Sequence, residues 1–297
     1  MAQSSSSNLS GFVSAEWQQH LSVPHMPFKP LASSMIAVIS AVVLSAMTVT
    51  ANANSLIHDN SYLQYELPST IQERCHTRQN CPKIELQYLN SNQDWINEIT
   101  NARINSVVLD NVMTESATSD NIDKHDVKTA LDRFASSQFN DLPEDSVFVY
   151  SLTAEPRYLG HIDDYELFEI NAYTFTGGAH GMPYSEYLIF DQRTKRHVQL
   201  VDILRYGVKT RFRALAYDAY KDWVKTVAED PERYEKSWPF TLSDDVTLTD
   251  KGLDIRYQHY AIGPYAYGMP VLSIPYDKLQ GIIKPQFFPK SRSSNYK

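Results

Sequence analysis

The chain has 297 residues, with 35 acidic against 27 basic side chains and a formal charge of −8. Such a surface repels nucleic acid and anionic membrane and favours basic partners, although the same charge also serves simple solubility. No internal repeat is present.

Residues 35–51 (MIAVISAVVLSAMTVTA) are apolar and uncharged, follow Lys29 and lead into Ala51-Asn52-Ala53. That is the layout of a secretory signal cleaved before Asn54, which implies a periplasmic or secreted protein. The run holds 17 residues and includes Ser40, Ser45, Thr48 and Thr50, whereas a spanning helix takes about 20 mostly apolar residues. A retained single-pass anchor is the alternative. Residues 1–34 are Ser-rich with one Lys and one Glu; they read as disordered or as a start-site artefact, Met26 being a more ordinary start.

Cys75 and Cys81 stand six positions apart. In an exported chain a disulfide is the expectation, worth about 2 kcal/mol through the restricted unfolded chain. A metal site needs more ligands than His76 alone, and the spacing is not that of a C-x-x-C redox pair.

Residues 83–89 alternate Ile84, Leu86 and Tyr88 with Glu85 and Gln87, the pattern of a half-buried strand. Ser91 with Asp94 resembles a capping box, and Trp95, Ile96, Ile99, Ala102 and Arg103 continue at helical spacing toward Leu109. A polar loop is expected over residues 111–121. Val127, Leu131, Phe134 and Ala135 mark a second helix ending near Asn140. Residues 146–153, 157–162 and 165–175 read as an antiparallel meander, and residues 186–190 and 197–200 as a hairpin about Asp191-Gln192-Arg193-Thr194. A long helix runs from Phe212 to Val227, with Pro231 just past its end. Strands follow at 246–248, 253–260 and 271–274, with a turn at Asp250-Lys251-Gly252 and a short helix to about Ile283.

Strands and helices thus come in blocks, which predicts an α+β fold: an antiparallel sheet with helices packed on one face. The domain is expected over residues 54–297, with an N-terminal part at about 60–145 and a C-terminal part at about 146–285.

Two segments exceed simple periodicity: YTFTGGAHG at 173–181, holding Gly177, Gly178 and His180, and YAIGPYAYGMP at 260–270, holding Tyr260, Tyr265 and Tyr267. In this order they resemble the RsiV family, the extracellular domain shared by the anti-sigma factor RsiV and the non-catalytic N-terminal half of a peptidoglycan deacetylase, over residues 81–283. The resemblance implies an extracytoplasmic α+β domain and, by analogy with RsiV, lysozyme binding. Residues 1–34 show no charged amphipathic helix to hold a sigma factor, and no paired-aspartate, paired-histidine metal motif follows the resembling region.

His180 between glycines has two readings: a base or ligand at a turn, or a backbone-bonded residue in a tight turn shaped by positive-φ glycines. No Ser or Cys nucleophile motif and no H-E-x-x-H spacing stands near it, which favours structure. The run is not a phosphate loop, since no Lys-Ser/Thr follows and no helix opens there. His161, Asp163, Asp164 and Glu166 read as a solvated hairpin tip rather than a calcium loop. His259 reads as a half-buried sheet residue. Glu85, Glu166, Glu169 and Glu186 are candidates for a glycosidase pair with no distance fixed between them. Tyr257, Tyr260, Tyr265, Tyr267 and Tyr276, stiffened by Gly and Pro, are either an aromatic contact surface or a lid packed on the core. The expected function is binding, to lysozyme or another basic cell-wall-lytic protein. Peptidoglycan recognition is the alternative and a His180 hydrolase the third reading; no cofactor is expected.

Overall fold

The structure, a computed structural model, describes residues 55–78, 80–112 and 124–290. The expected signal segment and its cleavage point, and the expectation for residues 1–34, lie outside the described residues. Six strands form one sheet in chain order: β1 (Asn60–Gln64), β2 (Lys83–Ser91), β3 (Ser151–Ile162), β4 (Tyr165–Phe175), β5 (Met182–Asp191) and β6 (Arg196–Val198). A second, antiparallel sheet holds β7 (Val246–Leu248), β8 (Gly252–Arg256) and β9 (Val271–Pro275). The helices are α1 (Ser69–Thr77), α2 (Asp94–Val112), α3 (Lys124–Asp141), α4 (Leu200–Ile203), α5 (Lys209–Val227) and α6 (Pro231–Ser237). The fold is α+β.

The large sheet is antiparallel except where β2 runs parallel to β3. Two helices separate those strands in the chain, and a connection that long returns the chain to the same end of the sheet, where a parallel neighbour forms. One core lies between this sheet and α2 and α3. It takes Leu86, Leu152, Phe168, Ile170 and Phe190 from strands and Ile96, Ile104, Val108, Leu131 and Phe134 from helices. A second core joins Tyr165, Leu167 and Ile189 to α5 and the small sheet. Because β4 alternates between them, Phe168 and Ile170 entering one and Tyr165 and Leu167 the other, it is buried on both faces. α5 offers Phe212, Ala216, Tyr220 and Val224, one residue per turn, each fully or almost fully buried. Its larger side chains contribute about 1.5–3 kcal/mol each by leaving water.

Several local expectations are corrected. Ser91 does not cap α2, which begins at Asp94 with Gln93 accepting from the Ile96 and Asn97 amides. Ser91 instead bonds Asn97, whose side chain closes on its N–H, hydroxyl and carbonyl. α2 runs on through Asn111 to Val112, with Asn111 Nδ2 donating to the Val107 carbonyl, and the rest of the expected loop lies outside the described residues. Residues 146–150 are not strand, and β3 is one strand through Pro156. It tolerates Pro156 because β2 pairs only as far as Ala154, leaving that margin without a donor to supply. β8 stops at Arg256, so His259 sits in the following loop. The expected last helix is a series of turns with three-residue hydrogen bonds, broken at Gly281 with φ 71°. β1 and α1 had no counterpart among the expected elements. Cys75 in α1 and Cys81 before β2 form a disulfide, their Cα atoms 5.2 Å apart.

Candidate functional site

The β4–β5 hairpin ends in residues 176–181, and the β8–β9 connection spans residues 257–270, closed at its base where the Tyr257 N–H donates to the Pro270 carbonyl. These two segments meet. The Tyr265 hydroxyl donates to the Gly181 carbonyl at 3.0 Å, and its ring lies between two imidazoles. His180 stacks at 3.7 Å between centroids and His259 at 4.4 Å. The Gly181 carbonyl can only accept, so His180 Nδ1, 3.0 Å away, carries the proton, and Nε2 accepts from Tyr260 Oη at 3.4 Å.

Gly177 and Gly178, with φ of 103° and 89°, make the turn that brings His180 to Tyr265. Gly181 works differently, since its φ is not positive. A Cβ there would lie 2.3 Å from the Tyr173 ring, so the absent side chain is the space that ring fills.

The five loop tyrosines divide. Tyr257 is buried, and Tyr276 is half-buried with its hydroxyl on the Thr249 carbonyl. Tyr265 is the centre of the stack. Tyr260 and Tyr267 remain 45% and 42% exposed. Tyr260 has φ 65°, a left-handed backbone that costs a non-glycine residue about 1–3 kcal/mol. Tyr267 is fixed by its hydroxyl to the Val227 carbonyl and by ring contacts with Trp223 and Tyr234. Burial pushes the His259 titration down, helped by nearby His180 and opposed by the Tyr265 backbone, and its Nδ1 is buried without a hydrogen bond among the described residues.

The candidate carboxylates are dispersed. Glu85 lies near Lys83 on the surface. Glu166 is no hairpin-tip residue: it is completely buried and receives the Ser55 hydroxyl, the Leu56 N–H, the Tyr158 hydroxyl and Gln192 Nε2. Strand alternation turns its side chain inward while Asp163 and Asp164 make the turn, Asp164 pairing with Arg193 and Lys290. Glu169 is buried against Arg157, Arg256 and Ser185. Burial works against its charge, but the hydrogen bond from Arg157 and the charge of Arg256 hold it below the usual carboxylate range. Among the described residues no group of three or more His, Cys, Asp or Glu is placed to hold a metal.

A cleft of about 1090 Å³ escaped the sequence reading. It lies between α2, β5, β6 and the α4–α5 connection. On its wall Arg103 binds both Glu186 oxygens, at 2.6 and 2.9 Å, and Tyr184 bonds to both partners. Short β6 covers β5 only at residues 189–191, and farther along side chains complete the margin. Gln258 accepts from the Ser185 N–H and donates to its carbonyl, and Asp245 Oδ1 accepts from the Tyr187 N–H. Asp245 Oδ2 is buried without a partner among the described residues, and burial, opposed by the Tyr187 N–H and Arg256, pushes its titration up to about 7. No sequence signal links these residues to one another.

The tyrosine loop and the cleft both draw on a segment that is recognisable in other proteins. Residues 189–277 match the family model described as protein of unknown function, DUF3298. That match includes His259 and the tyrosine loop and begins after the Gly177-Gly178 turn. A crystal structure of a DUF3298 family protein from Pseudomonas aeruginosa PAO1 is similar at 26% identity and TM-score 0.61, over 80% of this chain and 100% of its own. A DUF3298 family member from Bacteroides fragilis NCTC 9343 shares the fold, with TM-score 0.53 and 16% identity over 76% of this chain and 93% of its own. No curated protein matches the chain.

Proposed function

We propose that this protein is an exported, non-catalytic binding protein of the cell envelope whose partner is lysozyme or a similarly basic cell-wall-lytic enzyme. The observation that carries the reading is the closure of two motif segments, 80 residues apart, around Tyr265, with Tyr260 and Tyr267 exposed in the same loop. A stiff loop bearing exposed tyrosines offers large contact area at small entropic cost. The formal charge of −8 steers a basic partner toward it. The resemblance of residues 81–283 to the RsiV extracellular domain supports this partner class. His180 serves this reading as a structural element, its ring nitrogens engaged with the Gly181 carbonyl and the Tyr260 hydroxyl.

The test is the affinity of residues 54–297 for a c-type lysozyme at low and physiological salt, with muramidase activity followed in parallel. The expected result is saturable binding that weakens with salt and falls about tenfold in Tyr267→Ala. Absence of binding at both salt concentrations overturns the proposal.

A further inference from the structure

The cleft beside β5 has a chemistry unlike that of the tyrosine loop. Its charges are largely engaged: Arg103 with Glu186, Lys209 opposite Asp244 at 4.0 Å, and Lys284 Nζ on the Asp202 backbone carbonyl at 2.7 Å. Arg205 stands exposed at the rim. An incoming ion of either sign therefore meets no unengaged, buried counter-charge. What the walls leave open is hydrogen-bonding capacity that carries little charge. Asp245 Oδ2, which has no partner, is closed to solvent beneath the wall, whereas the His197 ring lines the cleft and makes no hydrogen bond among the described residues. Between these groups the lining is apolar, with Ile99, Leu188 and Val198. At the rim stands Tyr206, fully exposed on the α4–α5 connection, its ring packed on nothing.

We propose that this cleft is a saccharide site, in which the Tyr206 ring covers a sugar face while His197 and the Arg103–Glu186 pair on the wall bond its hydroxyls. Ring faces of sugars are apolar and their edges are hydroxyl-rich, which matches an aromatic rim, an apolar floor and a few convergent polar groups. A cleft of about 1090 Å³ exceeds the needs of one ring, so the ligand class is an oligosaccharide. The site meets the tyrosine-bearing connection at Gln258 alone among its named residues and does not rest on lysozyme binding.

The test uses two probes on the whole protein, a tetramer of N-acetylglucosamine and a cellulose-type tetramer, followed by NMR of backbone amides and histidine rings. Saturable shifts of the His197 ring and of the Ser185 and Tyr187 amides, with either tetramer, are the expected result. Tyr206→Ala is expected to weaken binding about tenfold, and because the side chain is fully exposed its removal leaves the fold intact. The proposal is overturned by silence with both tetramers, by shifts confined to Tyr260 and Tyr265, or by an affinity unchanged in Tyr206→Ala.

Discussion

Asp245→Asn isolates one buried ionisation. The carboxyl titrates at ~3.9 in an unfolded chain, and in the folded protein burial pushes it up to about 7. Between those values the folded protein keeps a proton that the unfolded chain releases. Stability is therefore full below about pH 4 and is lost as pH rises through about 7. The separation amounts to about 4 kcal/mol at its limit, of which roughly a third is already lost by about pH 5. Asparagine has nearly the same shape, can still accept from the Tyr187 N–H, and does not ionise. The variant's stability relative to the parent is thus expected to rise by about 3 kcal/mol between about pH 5 and pH 8. Urea unfolding at those two pH values measures it, and Arg256, Glu186 and Glu169 cancel because both proteins carry them. Parallel pH profiles would refute the argument that Asp245 is desolvated.

Two further substitutions test the packing. Gly181→Ala drives a Cβ into the Tyr173 ring and is expected to cost about 1–3 kcal/mol, read as a lower Tm and recovered in Gly181→Ala/Tyr173→Ala; an unchanged Tm would show that the ring has room. Cys75→Ser with Cys81→Ser opens the short loop between α1 and β2 and should lower stability by about 2 kcal/mol in urea, whereas an equal midpoint would mean that the link does not restrict the unfolded chain.

What could be read in the sequence was what periodicity writes locally. The α3 positions Val127, Leu131, Phe134 and Ala135 are all buried, as are the four core positions of α5, because one face of each helix meets the core and the spacing records it. β1 left no such record. All five of its residues are exposed and it is held to β2 by backbone pairing and the Ser61–Asn90 hydrogen bonds, so nothing apolar in NSYLQ alternates. α1 buries little beyond Ile71 and reads as a polar segment for the same reason. The parallel pairing of β2 with β3 depends on where two intervening helices return the chain. At the candidate site the glycine turn and the tyrosine loop stood out individually, but their meeting at Tyr265 joins residues 84 apart and has no local signature. The cleft is harder still, since Arg103 on α2, Glu186 on β5 and Asp245 just before β7 are brought together only in space.

The margin of β5 left bare by β6 carries one further consequence. An uncovered strand is a template on which a foreign strand can grow, and proteins prone to such growth aggregate edge to edge. Here Gln258 occupies the donor and acceptor of Ser185, and Asp245 occupies the donor of Tyr187. Two side chains act as a stopper, so β5 can end its ladder early and open a cleft beside itself while the backbone donors of Ser185 and Tyr187 that a foreign strand would use are already taken.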